Sequence, residues 1–171
     1  MIERIVHGEV VELRLSRPPV NALDPELLAG LAQAVSGETE GGALVISGTP
    51  GMFSAGLDIP HLMGLDRGQL TAALGVFFDA MEALASSPRP VAAAITGHSP
   101  AGGAILSLFC DWRVMAEGEY GIGVNEVLVG LPMPAVVAGL VARVVGVPQA
   151  ARLCVSGTLL APRQALQLGF V

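Results

Sequence analysis

Lysine is absent from this chain of 171 residues, and all nine basic residues are arginine. Two kinds of catalytic or binding lysine are therefore excluded: one that forms a Schiff base with a carbonyl substrate, and one that binds phosphate in a P-loop. Acidic residues number 15 and the formal net charge is −6. With that charge and no cluster of basic residues, we expect no nucleic-acid partner.

Cysteine and histidine are also scarce, at two and three residues. Cys110 and Cys154 stand alone in apolar sequence, which favours reduced core thiols over a disulfide. The histidines are scattered, and no group of residues has the spacing of metal ligands, so we expect no metal. The N-terminal sequence MIERIVHGEVVEL carries a charge every few residues, which is unlike a signal or transit peptide. We therefore expect a cytoplasmic protein.

Charged residues make up only 14% of the chain, and two segments, 90–110 and 127–142, contain no Asp, Glu or Arg. The first segment is interrupted by Thr-Gly-His-Ser-Pro, and the second has 16 residues that include two prolines. A membrane-spanning helix needs about 20 apolar residues without such breaks. Both segments are therefore interpreted as buried core elements, and we expect no membrane partner.

The order of apolar segments predicts one α/β domain over residues 1–171, with largely parallel strand pairing. Residues 2–15 predict two strands that meet at His7-Gly8-Glu9. The following elements are predicted next: strands over 43–48, 91–96 and 112–117; helices from Pro25, from Asp66 to Ala85 and over 101–109; a long irregular loop over 49–64; and two or three helices within 132–168. The chain ends on the apolar residues ALQLGFV, so we expect it to be incomplete or to pack its end against something else.

Two glycine-containing loops follow charge-free strands: FSAGLD (53–58) and TGHSPAGG (96–103). If their strands are parallel neighbours, the two loops emerge at the same edge of the sheet. Glycine lets a substrate oxygen approach the backbone, and the first N–H groups of a helix have no intrahelical partner. The pair of loops is therefore interpreted as a site that binds an oxyanion through backbone N–H groups. The alternative is two simple strand-to-helix turns, with Asp58 as a helix N-cap.

The second loop also resembles the nucleophile elbow of serine hydrolases, with Ser99 in the position of the nucleophile. The residue after that serine normally donates its N–H to the oxyanion, but Pro100 has no N–H. All three histidines precede Ser99 in the chain, whereas the elbow's general base follows its serine. We therefore expect that Ser99 is not a nucleophile.

Glu126 is the only charged residue between Glu119 and Arg143. A carboxyl group in apolar surroundings has a raised pKa, which approaches the range of a useful general base. The alternative is a loop glutamate that reaches solvent.

Five motifs occur in an order and spacing that resemble the crotonase superfamily, the enoyl-CoA hydratase/isomerase family: PPVNAL (18–23), FSAGLD (53–58), TGHSPAGGA (96–104), CDWRVMAE (110–117) and NEVLVGLPMP (125–134). The resemblance covers nearly the whole chain. It implies a fold of repeated ββα units whose C-terminal helices are missing from this chain. It also implies coenzyme A thioester substrates, no separate cofactor, and a homotrimer or a dimer of trimers.

The resemblance assigns roles by position. The backbone N–H groups of Leu57 and Gly102 bind the thioester oxygen, and Glu126 is the catalytic base. The implied substrate-binding residues are Ala55, Gly56, Asp58, Ile59 and Asn125. Hydratases of the family use two glutamates, and the position of the first is Ile105 in this chain. The NE pair at 125–126 is similar to that of Δ3,Δ2-enoyl-CoA isomerases, which use one glutamate.

The sequence thus predicts an acyl-CoA isomerase that converts a 3-enoyl-CoA to a trans-2-enoyl-CoA. Two alternatives stay open. One is another reaction that needs a single carboxylate, such as weak hydration or thioester hydrolysis. The other is a non-catalytic crotonase-fold protein that binds acyl-CoA. Pro60 stands where many relatives have a lysine near the coenzyme A phosphates, so the sequence does not define the acyl-CoA contacts fully.

Overall fold

The computed structural model describes all residues 1–171 and contains eight strands and seven α-helices. The strands are β1 (Ile2–His7), β2 (Val10–Leu15), β3 (Leu44–Ser47), β4 (Gly51–Met52), β5 (Val91–Ile95), β6 (Gly97–Pro100), β7 (Trp112–Met115) and β8 (Ile122–Gly123). The helices are α1 (Pro25–Gly37), α2 (Ile59–Leu62), α3 (Arg67–Ala85), α4 (Gly102–Leu108), α5 (Ala135–Val145), α6 (Val147–Ser156) and α7 (Pro162–Gln167), and a 3-10 helix spans Glu126–Val129.

The strands form two sheets. The larger sheet has the order β1-β2-β3-β5-β7, and all its neighbours are parallel except the β1–β2 hairpin. The smaller sheet has the order β4-β6-β8 and is wholly parallel. Each strand of the smaller sheet follows a strand of the larger sheet in the chain: β4 follows β3, β6 follows β5, and β8 follows β7. This arrangement confirms the predicted α/β fold of repeated ββα units.

Local sequence explains the helix starts that were predicted. The Asp24 side chain caps α1 by accepting from the Leu27 N–H at 2.8 Å, and Pro25 occupies the first helical position. Asp66 and Gln69 form a capping box at the start of α3. The faces of α1 and α3 that carry buried leucine, phenylalanine and methionine pack against each other and the larger sheet.

Two segments differ from the prediction. The expected loop 49–64 contains β4 and α2, and the expected turn after β5 contains strand β6. These strands have two and four residues and are rich in glycine and polar residues, so they lack a hydrophobic period. Tertiary pairing forms them: β4 pairs with β6, and β6 pairs with β8.

The two cysteines are unpaired, as expected; Cys110 is buried and Cys154 is half-buried. Burial raises the pKa of the Cys110 thiol to about 12, so this thiol stays protonated and unreactive at neutral pH. None of the helices combines the length and the apolar character that crossing a membrane requires.

Candidate functional site

The loop Ser54–Asp58 leaves one of its five backbone N–H groups without an acceptor. Four of them donate as follows: Ser54 to His98 O at 3.4 Å, Ala55 to Val20 O at 2.9 Å, Gly56 to Ser54 Oγ at 3.1 Å, and Asp58 to Leu23 O at 3.2 Å. The N–H of Leu57 takes part in no hydrogen bond. It is therefore free to bind a ligand.

The second loop presents a similar group at the start of α4. Gly102 is the first residue of that helix, so its N–H has no intrahelical acceptor, and no loop carbonyl or side chain accepts from it. Ala101 precedes it with φ +47° and ψ −122°, a conformation that a residue with a Cβ rarely adopts. Backbone strain of this kind persists where surrounding structure imposes it, and it concentrates at functional sites. Nothing in the sequence indicates this strain, because glycine is the residue expected at positive φ.

The two loops are in direct contact. A Cβ built on Gly56 would lie 2.9 Å from the backbone nitrogen of Gly102, and one built on Gly102 would lie 3.1 Å from that of Leu57. Glycine at both positions is what allows the backbones to come this close. The two free N–H groups are therefore neighbours at one place, as the parallel strand pairing predicted.

These N–H groups border a cavity of about 120 Å³. Its walls come from the two loops and from the 3-10 helix, and the lining residues are Ala55, Leu57, Ile59, Pro100, Ala101, Gly102, Asn125, Glu126, Val129 and Leu131. Glu126 is the only titratable residue among them. The cavity thus combines two free backbone donors with one carboxyl group.

Glu126 begins the 3-10 helix and is only 6% exposed. Its Oε2 atom is buried without a hydrogen-bond partner, and so is Oδ1 of the neighbouring Asn125. Burial raises the pKa of the Glu126 carboxyl group above its usual range. The alternative of a solvated loop glutamate is therefore wrong. By contrast, Glu117 and Glu119 are exposed.

Of the other predicted substrate-binding residues, Ala55, Ile59 and Asn125 line the cavity, and Gly56 lies at the contact between the loops. Asp58 does not line it. Its carboxylate accepts from the His61 N–H at 3.1 Å, as the N-cap of α2, and pairs with Arg17 at 2.9 Å. The His61 hydrogen bond, followed by the arginine, lowers the pKa of Asp58. Asp58 thus is the N-cap of α2, which is the alternative to a substrate contact.

Ser99 is fully buried, and its hydroxyl has no hydrogen-bond partner. Along β6 the buried positions are Gly97 and Ser99, whereas Pro100 faces the cavity. His98 accepts through Nδ1 from the Gly121 N–H at 3.2 Å and packs edge-on against Tyr120. No histidine hydrogen-bonds to Ser99, so the structure contains no serine–histidine pair here.

Sequence reasoning did not identify two apolar walls of the cavity, Val129 and Leu131. Both are partly exposed, at 56% and 38%. They belong to the apolar segment 127–142, for which the sequence predicts a buried core element. Exposed apolar side chains beside a carboxyl group are the signal that could have identified them.

The profile of the enoyl-CoA hydratase/isomerase family matches residues 6–171. The chain belongs to that family. It is 35% identical over 167 residues to mitochondrial enoyl-CoA delta isomerase 1 of Mus musculus, which covers 95% of this chain and 58% of the mouse protein. It is 33% identical over 162 residues to the probable enoyl-CoA hydratase echA17 of Mycobacterium avium, with 93% and 63% covered. The chain thus spans about three fifths of the length of these curated relatives.

Solved structures agree on the fold. The crystal structure of human mitochondrial delta3-delta2-enoyl-CoA isomerase superposes with a TM-score of 0.95 at 28% identity, over 99% of this chain and 69% of the human chain. An enoyl-CoA hydratase from Thermoplasma volcanium superposes with a TM-score of 0.91 at 32% identity, with the same coverage of 99% and 69%. The crotonase fold predicted from the five motifs is confirmed.

Proposed function

We propose that the protein is an acyl-CoA isomerase that shifts the double bond of a 3-enoyl-CoA to give the trans-2-enoyl-CoA. The observation that carries this proposal is the composition of the cavity, which places two free backbone N–H groups and a single carboxyl group around one small space. Moving a double bond by one carbon requires one proton to leave and one to return, and a single base can do both.

The reaction begins when the Glu126 carboxylate removes a proton from C2 of the substrate. The electron pair of that C–H bond forms C1=C2 and places negative charge on the thioester oxygen. The N–H groups of Leu57 and Gly102 stabilise this charge, which is present only after proton removal. When the Glu126 carboxyl returns the proton to C4, the C3=C4 electrons form the new C4–H bond, the C1=C2 electrons become C2=C3, and the charge on oxygen re-forms the carbonyl. Atoms and charge balance without a second acid or base.

Burial of Glu126 assists this mechanism. A desolvated carboxylate is a stronger base than a solvated one, and its raised pKa lies closer to that of the weakly acidic C2–H group. Apolar side chains of Ile59, Val129 and Leu131 line the cavity and reduce the contact of the intermediate with water.

The cavity has no second carboxylate, which favours isomerisation over efficient hydration because the family's hydratases use two glutamates. Ile105 occupies the position of the family's other glutamate; it is 4% exposed and does not line the cavity. No second carboxyl group is therefore available to activate a water molecule. Coenzyme A is part of the substrate in this proposal, and no separate cofactor is needed. Ala55, Gly56, Ile59 and Asn125 are proposed to contact the thioester, and Asp58 to act through the loop that it caps.

A spectrophotometric assay with matched substrates tests the proposal. The protein is incubated separately with 3-hexenoyl-CoA and with trans-2-hexenoyl-CoA, and the absorbance of the conjugated enoyl thioester is followed. An isomerase produces that absorbance from the first substrate and leaves most of the second unchanged. Loss of absorbance from the 2-enoyl-CoA indicates hydration, release of free thiol indicates thioester hydrolysis, and binding without either change indicates a non-catalytic acyl-CoA protein. Each of the last three outcomes contradicts isomerisation when no conjugated enoyl thioester forms from 3-hexenoyl-CoA.

We also propose that the chain assembles as a homotrimer or a dimer of trimers and acts in the cytoplasm. Support for assembly comes from a groove of about 560 Å³ beside β7, where apolar side chains are exposed. Trp112, Val114 and Leu166 are 69%, 53% and 66% exposed, and side chains of this size and exposure are typical of surfaces that a partner covers.

A further inference from the structure

The direction of the Leu57 N–H is set by the peptide group to which it belongs. That group joins Gly56 to Leu57, and in a trans peptide the C=O and the N–H point in opposite directions. The Gly56 carbonyl accepts from the Leu23 N–H at 2.8 Å. Because the carbonyl is held on the Leu23 side, the N–H of Leu57 points the other way, where the cavity lies.

This peptide has little intrinsic preference for that orientation. Gly56 has φ +85°, and glycine occupies several backbone conformations with similar ease. Rotation of the peptide would turn the N–H away from the cavity. Hydrogen bonds on both sides of Gly56 therefore have to hold it in place.

The Ser54 hydroxyl holds the N-terminal side of Gly56. It accepts from the Gly56 N–H at 3.1 Å and donates to the backbone oxygen of Asn21 at 2.7 Å. Ser54 is fully buried, so water does not compete for either bond. The hydroxyl thus connects Gly56 to a fixed point in the neighbouring segment.

Asn21 is that fixed point. It is fully buried and has φ +51°, a left-handed conformation that asparagine adopts more readily than most residues. Its side-chain Nδ2 donates to Phe53 O at 3.1 Å and to Met52 O at 3.3 Å, and its Oδ1 accepts from the Arg17 N–H at 2.8 Å. Asn21 therefore fixes the strand end from which the loop starts, as well as the oxygen that receives the Ser54 hydroxyl.

We infer that Ser54 and Asn21 are positioning residues that aim the Leu57 N–H at the substrate oxygen, an inference that rests on the proposed function of that N–H. Neither side chain lines the cavity, so neither touches the substrate. Their contribution is to keep the peptide group between Gly56 and Leu57 from rotating. Misplacement of a catalytic group by about 1 Å costs up to 10²-fold in rate.

The variant Ser54→Ala removes only the hydroxyl oxygen and tests this inference. We expect kcat per folded molecule to fall between about tenfold and 10²-fold, with a smaller change in KM, since the lost contact matters most when charge develops on the oxygen. Infrared difference spectra of bound trans-2-hexenoyl-CoA, labelled with ¹³C at C1, report the carbonyl directly. The labelled C=O stretch is expected to move toward its frequency in free solution.

Ser47→Ala is the matched control. Ser47 is also a buried serine, 4% exposed, and its hydroxyl donates to Glu12 Oε1 at 2.6 Å, outside the site. This variant is expected to lose stability but to keep both kcat and the carbonyl frequency. Should Ser54→Ala fail to fold, Ser54→Cys retains a weaker donor and acceptor of similar shape, and we expect it to give an intermediate shift.

Gly102→Pro, which removes the other donor, separates the inference from the proposed function. If Gly102→Pro shifts the carbonyl frequency and Ser54→Ala does not, the oxyanion site is correct and the positioning role is wrong. If neither variant shifts it, the oxyanion site itself is wrong. A Ser54→Ala protein that is only less stable, with normal kcat and a normal carbonyl frequency, also overturns the inference.

Discussion

Asn21 and Glu126 are both buried polar residues, 0% and 6% exposed, yet their surroundings differ completely. The Asn21 side chain donates to three oxygens and accepts from one N–H. Glu126 has a carboxylate oxygen without any partner. Burial of a polar group costs free energy unless hydrogen bonds replace its hydration. Asn21 meets this condition within the chain, whereas Glu126 does not.

The contrast separates two uses of a buried polar group. A satisfied group such as Asn21 defines where neighbouring backbone lies. An unsatisfied group such as Glu126 makes the folded protein less stable than it could be, and the carboxylate is thereby left available for chemistry. The same contrast holds among backbone groups, since four N–H groups of the loop Ser54–Asp58 are bonded and that of Leu57 is free.

Among the backbone groups that this contrast concerns, the largest effect is expected at Gly102. Gly102→Pro deletes a free N–H at the first position of α4, where proline is tolerated best. Turnover per folded molecule should fall roughly 10²–10³-fold, as for loss of an oxyanion-hole donor.

Gly102→Ala is the control for crowding, because it keeps the N–H and adds a Cβ that would lie 3.1 Å from Leu57 N. The folded fraction of each variant is measured by circular dichroism. A folded proline variant with the turnover of the wild type would mean that the N–H of Gly102 makes no contribution to the reaction.

The second effect concerns stability and pH. Because burial raises the pKa of Glu126 in the folded state, the folded protein keeps this proton at pH values where the unfolded chain has lost it. The stabilisation from the protonated form is fully present below the unfolded pKa, about 4.3, and is lost as pH rises through the folded pKa. The Glu126→Gln variant has no titrating carboxyl group at this position, so its stability does not fall in this way as pH rises.

The free energy of unfolding of Glu126→Gln should therefore exceed that of the wild type by an amount that grows across this pH window. Urea denaturation at several pH values measures the difference. A difference that stays constant with pH would indicate that Glu126 is hydrated in the folded protein.

The smallest effect is expected at Ser99, whose buried hydroxyl also lacks a partner but faces away from the cavity. Ser99→Ala should leave turnover within a few-fold of wild type and should not lower the free energy of unfolding, because no hydrogen bond is lost. Covalent labelling of Ser99 by a fluorophosphonate would instead identify it as a nucleophile.

The sequence allowed the larger sheet and the main helices to be predicted, because their apolar runs and capping residues act locally. It also predicted that the loops after β3 and β5 meet, since neighbouring parallel strands place their following loops at one edge. The strands β4 and β6 were missed because pairing between glycine-rich segments forms them, not a hydrophobic pattern.

Within the site, the burial of Glu126 followed from its isolation among apolar residues. The strain at Ala101 did not follow from the sequence, and the free N–H of Leu57 followed only from the family resemblance, not from the residue types of the loop. Both depend on which backbone groups find partners in the folded chain, and no property of the residues themselves records that. The cap at Asp58 was foreseen only as an alternative, because an N-cap and a substrate contact use the same residue types.

The most direct test of the account is proton transfer by Glu126. Glu126→Gln keeps the shape of the side chain and removes the base, so it should fold, bind trans-2-hexenoyl-CoA, and lose 10²–10⁴-fold in turnover of 3-hexenoyl-CoA. Proton NMR in deuterated water follows the same step, since exchange at C2 requires the base and should stop in the variant. A folded Glu126→Gln protein that retains more than about a tenth of wild-type turnover, or that still exchanges the C2 proton, would contradict the assignment of Glu126 as the single base.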